Sequence, residues 1–250
     1  MLAEDRLDRI VQMVNDRGSV TATELMEALD ASESTIRRDL TRLAQMGRIA
    51  RVHGGATALA RTVVPADQTV SEKRRLHLWE KAAIARHAAK LIGPDDFVYI
   101  DAGSTTGCLV EAITETRATY VTNSIANAHV LLEKGCRVLL PAGELKAITE
   151  ALVGEQTVAC IERFRFTIGF FGTNGATPET GFTTPEVGEA FIKEVALKQT
   201  LRPFVLCDSS KFSNVSPCAF ASFDAATIIT DSVPDDLADQ GDIVIADPAA

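Results

Sequence analysis

From residue 97 onward the chain alternates short runs rich in Val, Ile and Phe with stretches of helical spacing. FVYID, ATYVT, RVLLP, FTIGFFG, PFVLCD, TIITD and DIVIA are short enough for strands and too continuously apolar to keep one face in water. Between them TTGCLVEAI, IANAHVLLEKG and EVGEAFIKEVALK read as helices. Strands buried on both faces and joined by helices make a mostly parallel sheet covered on both sides, so most of this chain is predicted to be α/β. In such sheets a ligand binds where strands end and helices begin.

Polar clusters fall at those strand ends. DAGSTTG follows the first run: Gly103 is expected to let the backbone turn, while Ser104, Thr105, Thr106 and a helix start offer donors to a phosphate. It is neither G-x-G-x-x-G nor a Walker loop, so it does not indicate a nucleotide. VTNS brings Asn123, PAGELK brings Glu144 and Lys146, and GTNG brings Asn174. GFTTPEVGEAFIK adds Thr184, Glu186, Glu189 and Lys193, and CDSSKF adds Asp208 and Lys211. With Asp101 these residues fit a small, polyhydroxylated, phosphorylated ligand: hydroxyls and amides for the sugar, lysines for the phosphate.

The first sixty residues have another character. Leu7, Ile10, Val11 and Val14 repeat at helical spacing before Gly18. Thr21 and Glu24 form a capping-box signature for a second helix carrying Leu25, Met26 and Leu29. Ser32 is placed to cap a third, in which Ile36, Leu40 and Leu43 point inward and Gly47 ends the run. Its opposite face carries Ser34, Thr35, Arg38 and Arg42, with Arg37 at the shoulder. RIARVHGGATAL then sets Ile49, Arg51 and His53 on one side of a strand, turns at Gly54 and Gly55, and resumes. Three short helices and a ribbon make a winged helix-turn-helix, whose third helix can enter a DNA major groove.

Charge supports that reading. Between Ser34 and Thr62 six arginines face one acid, Asp39, in a chain whose net charge is −9. A basic stripe on an acidic protein marks where a polyanion docks. Asp39 is read as orienting an arginine, since a carboxylate aimed at phosphate is unfavourable. The five scattered cysteines read as buried free thiols in a reducing cytoplasm, and the histidines make no metal pattern. No cofactor or metal is expected. No apolar run is long enough for a membrane span, and the N-terminus has the wrong composition for a signal peptide. Residues 1–60 are expected as the DNA-binding domain, 61–80 as a linker and 81–250 as the sensor. A helix is expected near the linker with Leu78, Ala82, Ala85, Ala88, Ala89, Leu91 and Ile92 as its buried stripe. Trp79, the only tryptophan, is expected to pack at a hinge or interface.

SESTIRRDLTRL followed by GRIARVHGGA resembles the signature of the DeoR family of bacterial transcription repressors, a T-[IV]-R-R-D-L recognition helix with a G-x-x-x-R-x-H-G-G wing. The resemblance implies DNA contacts by Thr35, Arg37 and Arg38, and by Arg51, His53 and Gly54 in the wing. FVYIDAGSTT, VTNS, GTNG and DSSKF are similar, in order, to the family's sensor domain, itself similar to ribose-5-phosphate isomerase-like folds. That implies phosphate contacts by Ser104, Thr105, Thr106 and Lys211, with Asp101, Asn123, Glu144, Asn174, Thr184 and Glu186 around the sugar. GTNG, GFTTP and SSKF resemble the fructose-operon repressor branch, implying fructose 1-phosphate as effector. Where the family commonly has Gly-Gly-Glu, this chain reads PAGE, which narrows that loop.

The expected function is a cytoplasmic repressor that binds double-stranded operator DNA and is released by a phosphorylated sugar. Two half-sites imply a homo-oligomer, dimer or tetramer. The alternative is a sugar-phosphate isomerase-like enzyme, for which Asp101, Glu144, Asp208 and Lys211 are suitable residue types. A third class, an architectural DNA-binding protein without a ligand, is disfavoured by the polar strand-end clusters.

Overall fold

The structure is a computed structural model that describes residues 3–17, 19–45, 48–52, 54–57, 62–63, 70–238 and 240–247. The chain divides into two compact units, Met1–Thr62 and Val63–Ala250. Gly18, Gly47, His53 and residues 61 and 64–69 of the segment expected as a linker lie outside the described residues.

In the first unit α1 (Ala3–Arg17), α2 (Ala22–Leu29) and α3 (Glu33–Gln45) surround a core of Leu7, Ile10, Val14, Leu25, Ile36, Leu40 and Leu43. The Thr21–Glu24 capping box forms in both directions and starts α2. The Thr35 amide reaches the Ser32 hydroxyl at 3.4 Å, at the start of α3. The wing is a three-stranded antiparallel sheet rather than a hairpin: β1 (Ser19–Thr21) pairs with β3 (Gly55–Thr57), which also pairs with β2 (Ala50–Val52). Ile49 precedes the strand and is buried, whereas Arg51 is exposed, so the two do not share a face as the alternation suggested. The two glycines do different work. Gly54 turns the chain at φ +89°, while a Cβ at Gly55 would collide with the Val20 carbonyl.

β4 (Thr62–Val63) straddles the division, and α4 (Val70–Arg74) and α5 (Leu78–Ala89) follow in the second unit. Its sheet has seven parallel strands in the order β17 (Ile243–Ile245), β16 (Thr227–Thr230), β13 (Pro203–Leu206), β10 (Ile168–Gly172), β5 (Phe97–Ile100), β6 (Thr119–Thr122), β7 (Arg137–Leu139). Their residues alternate between two cores. Val98, Ile100 and Tyr120 pack with α5, α6 (Ser104–Ala112) and Leu131 of α7 (Ile125–Glu133); Tyr99, Val121 and Phe171 pack with Ile161 of α8 (Glu155–Ile161) and with α9 (Val187–Lys198). Two small antiparallel pieces have no counterpart in the sequence reading: the hairpin β8 (Glu144–Lys146) with β9 (Ala151–Val153), and a sheet of β11 (Gly175–Thr177), β12 (Gly181–Thr184) and β15 (Cys218–Ala221). β14 (Asn214–Val215) lies between β13 and β15 in the chain.

The buried face of α5 is rotated from the one expected. Leu78 is exposed, and the buried positions are Lys81, Ala83, Ile84, Ala85 and Ala88. A lysine at the head of that stripe disguised its phase. Trp79 is 88% exposed and does not pack into a core. Of the cysteines only Cys136 and Cys207 are buried, and all five are free thiols.

Candidate functional site

In α3, burial of Ile36, Leu40 and Leu43 turns Ser34, Arg37, Arg38 and Arg42 outward and leaves Thr35 half-buried. The arginines are not equivalent. Arg37 is held by Glu33 one turn earlier, Nη2 to Oε1 2.7 Å. Arg51 in the wing donates to the Thr41 hydroxyl at 3.0 Å, which in turn donates to the Arg37 carbonyl at 2.7 Å. Arg48 pairs with Asp8 at 2.8 Å. Arg38 and Arg42 have no ion pair among the described residues and project from the helix as uncompensated charge. Asp39 does orient an arginine, though not one on its own helix. It is buried and accepts from Arg6 Nε at 2.6 Å, which ties α1 to α3. The carboxylate is thereby withdrawn from the cationic face.

In the second unit the strand order reverses direction between β5 and β10. From β5 the chain winds outward through β6 and β7, then returns to β10 and winds the other way. The crevice outside the carboxyl ends of such a pair is where doubly wound sheets bind ligands. Asp101 closes β5 at this point. Its Oδ2 accepts from the Gly172 amide at the end of β10 at 3.0 Å and from Lys193 Nζ, and Lys193 also donates to the Gly172 carbonyl at 3.0 Å. Burial pushes the Asp101 carboxyl up, opposed by Lys193 and the Gly172 amide. Lys193 thus ties the two halves of the sheet together across the switch point.

The sequence-derived residues differ in what they already hold. Ser104 and Thr105, at the start of α6, carry hydroxyls with no hydrogen-bond partner among the described residues, while the Thr106 hydroxyl is spent on the Gly103 carbonyl at 3.1 Å. Gly103 has φ 170°, extended backbone open to any residue, so it is not needed there for conformational freedom. Asn123 is scaffold. Its Oδ1 accepts from the Ala102 amide at 3.0 Å and from the Tyr99 hydroxyl at 3.3 Å, and its Nδ2 donates to the Leu152 carbonyl at 3.3 Å. Lys146 and Glu186 satisfy each other: Lys146 Nζ lies 3.2 Å from both Glu186 and Glu189, and Thr149 adds a bond to Glu189 at 2.8 Å. Partial burial lowers the Lys146 pKa, but the two carboxylates outweigh it and hold the group above its usual value. These contacts latch the β8–β9 hairpin to the start of α9. Glu144 is exposed on the hairpin. In the same loop Gly143 is required, because a Cβ there would collide with the Thr157 hydroxyl. Asn174 donates its amide to the Thr183 carbonyl at 2.9 Å, and Thr184 keeps a buried hydroxyl without a partner.

One buried lysine went unnoticed in the sequence. Lys81 of α5 is 2% exposed and donates to the Lys73 carbonyl at 2.6 Å. Burial pulls its pKa down, Asp208 opposes that, and Lys211, Cys108 and Lys73 lie within electrostatic reach. Asp208, wholly buried at the end of β13, has an Oδ2 without a hydrogen-bond donor; Lys211 Nζ stands 3.8 Å away, an ion-pair distance too long for a hydrogen bond. Lys211 is thus the ion-pair partner of Asp208, and Lys81 feels the same carboxylate electrostatically. Arg74 lies against the first turn of α6, where a Cβ on Gly107 would meet its Nη2 at 3.4 Å. The only sequence signal for Lys81 was a lysine at i, i+3, i+4, i+7 with Ile84, Ala85 and Ala88.

A winged helix-turn-helix with a free cationic face, on one chain with an α/β unit that gathers polar groups at its switch point, is the build of a ligand-responsive transcription regulator. The chain belongs to the DeoR family: residues 6–62 match the DeoR-like helix-turn-helix domain and residues 76–232 the DeoR C terminal sensor domain. It is 38% identical over 231 residues to the uncharacterized HTH-type transcriptional regulator FruR of Bacillus subtilis, covering 92% of this chain and 91% of that one. It is 34% identical to the lactose phosphotransferase system repressor of Staphylococcus epidermidis (91% and 92% covered) and 33% identical to that of Streptococcus mutans (94% and 95%). With relatives named regulators and repressors, the chain is a DNA-binding transcriptional regulator and not an enzyme. Among solved structures, ribose 5 phosphate isomerase A from Neisseria gonorrhoeae aligns at TM-score 0.40 and 15% identity, over 54% of this chain and 53% of that one. The sorbitol operon regulator SorC from Klebsiella pneumoniae aligns at 0.38 and 13%, over 84% and 95%. No helix among the described residues is long and apolar enough to cross a membrane.

Proposed function

We propose that this regulator represses a sugar-utilisation operon in the cytoplasm, binds its operator as a homo-oligomer, and is released by a phosphorylated sugar, fructose 1-phosphate first among candidates. The reading rests on one observation above others: the buried carboxylate of Asp208 keeps an Oδ2 without a hydrogen-bond donor and has Lys211 Nζ 3.8 Å away, with the buried Lys81 in its electrostatic reach, a local excess of two lysines over that acid. A phosphate neutralises that excess and takes up the idle hydroxyls of Ser104 and Thr105 and the free amides of the helix start. The sugar then lies toward the switch point, against Asp101, Asn174 and Thr184. Glu144, Lys146 and Glu186 act through the hairpin latch, and Asn123 holds the loop that carries Asp101.

For a ligand to loosen DNA by about a hundredfold, it must favour the released conformation by about 2.7 kcal/mol. A gel-shift screen of sugar phosphates on the chain's own upstream DNA tests the reading. Fructose 1-phosphate is expected to dissociate the wild-type complex, and Lys211→Ala to shift the required concentration upward at least about tenfold, the loss of one charge-assisted bond. If no sugar phosphate acts, or the variant responds at the wild-type concentration, the placement of the phosphate is wrong.

A further inference from the structure

Two acids lie on α3, and the fold treats them differently. Asp39 is buried and drawn back onto Arg6, which keeps its carboxylate away from phosphates. Glu33 is not withdrawn. It opens the first turn of the helix, is exposed, and holds Arg37 one turn on, Nη2 to Oε1 2.7 Å. Glu33, Arg37 and Thr41 follow one another at i, i+4 and i+8, so they form one row along the helix. At the Thr41 end the row meets the wing, where Arg51 donates to the Thr41 hydroxyl at 3.0 Å. An acid has thus been kept, paired with an arginine, at the start of the one helix built to approach a polyanion.

We infer that Glu33 and Arg37 act as one base-reading pair that selects a C·G base pair in each half of the operator: the cytosine N4 amino group donates to the Glu33 carboxylate, and the Arg37 guanidinium donates to guanine O6 and N7. This rests on the operator-binding part of the reading above and is independent of the sugar phosphate. An ion pair has no net charge, so it gains little from phosphates by counterion release, and its carboxylate is repelled by them. On base edges the same pair finds its complement. In the major groove C·G sets one amino donor beside two acceptors, whereas T·A puts an acceptor where the carboxylate needs a donor and a donor where the guanidinium needs an acceptor. The start of a recognition helix is where such edges are touched. Glu33 also fixes the direction of the guanidinium before DNA arrives. Arg42 is the contrasting case, a charge with no ion pair among the described residues and suited to phosphate.

The test uses the full chain without any sugar, on its own upstream DNA and on duplexes carrying each single base-pair change in it. Fluorescence anisotropy reports affinity. The wild type should lose at least about fivefold when one C·G pair of a half-site becomes T·A. Glu33→Gln should lose that preference at that position alone, because an amide can face either group. Replacing the guanine of that pair with 7-deazaguanine, which lacks N7, should weaken the wild type severalfold and leave Arg37→Ala unaffected. Arg37→Ala should also keep the wild-type slope of log affinity against log salt, and Glu33→Gln, with the Arg37 charge released, should bind a scrambled duplex more tightly than the wild type. A slope flattened by about 1.8 in Arg37→Ala, the mark of two lost phosphate contacts, overturns the inference. So does a preference lost at a T·A position. Glu33→Gln that weakens every duplex alike and melts at a lower temperature makes Glu33 a helix-stabilising acid only, and overturns it too. If the wild type prefers its operator and no C·G position responds to either variant, the pair assignment alone falls; if it prefers no duplex over a scrambled one, the operator reading falls with it.

Discussion

Arg42 and Arg48 make a controlled comparison on the reading head. Both are cationic and lie near the exposed face, but Arg42 is uncompensated while Arg48 is bound to Asp8 at 2.8 Å. Each phosphate contact on duplex DNA contributes about 0.9 to the slope of log affinity against log salt, through counterion release. With two reading heads on a two-fold operator, Arg42→Ala removes two contacts and flattens the slope by about 1.8. Between 50 and 200 mM salt that is 4 raised to 1.8, so the wild type loses about 12-fold more affinity than the variant. Arg48→Ala should flatten the slope by less than half as much, because its guanidinium is already neutralised. Fluorescence anisotropy with labelled operator across that salt range measures both, and a scrambled duplex tests whether the change is independent of sequence. Equal slopes for the wild type and Arg42→Ala, or a larger effect at Arg48, would refute the assignment of the free cationic face. A change confined to the true operator would instead make Arg42 a reader of bases.

Two further substitutions probe what holds the units together. Leu40→Ala opens a cavity in the small core at a position 2% exposed; the expected loss of about 2–5 kcal/mol is comparable with the about 3–9 kcal/mol available to a unit of this size. Far-UV circular dichroism melts should show the first unit unfolding at a much lower temperature with the sensor transition unmoved, and a single shared transition would contradict independent cores. Asp96 in the sensor loses some solvation, yet bonds from Thr167 at 2.6 Å, the Gly93 amide at 2.8 Å and Arg202 at 3.3 Å hold its carboxyl below its ordinary value of 3.8. A depressed carboxylate stabilises the fold above its unfolded pKa, and that contribution is lost as pH falls through the folded one. The melting-temperature gap between wild type and Asp96→Asn should therefore be full at pH 6 and close as pH falls below the ordinary value of 3.8 and through the depressed folded one; a gap that survives in acid would mean that geometry, not charge, is responsible.

Local patterns were readable from the chain alone. The Thr21–Glu24 capping box, the Ile36/Leu40/Leu43 stripe and the seven central strands all depend on residues within a turn or on continuous apolar runs, and all stand in the structure. Strand ends follow from the strands, so the positions of Asp101, Ser104 and Asp208 at strand and helix ends could be read too. What the chain alone did not show depends on distant partners. Asp39 was read as orienting an arginine, and the fold identifies that arginine as Arg6, thirty-three positions away. Lys146 and Glu186, expected as ligand contacts, form an ion pair forty positions apart. Leu78 looked like the head of a buried stripe because leucine is apolar, and Lys81 took the buried side.

The sequence by itself determined the two-part organisation, the cationic third helix, the parallel α/β class and the membership in a repressor family. Those properties are written in composition, periodicity and short motifs. Only the tertiary structure decided which strand pair forms the switch point, which polar groups are consumed by one another, and which remain idle. Such choices are made when the chain closes loops of tens of residues, and neither spacing nor propensity records that closure. A lysine reads as surface until the fold buries its ammonium beside a carboxylate, and then it becomes a candidate for binding an anion.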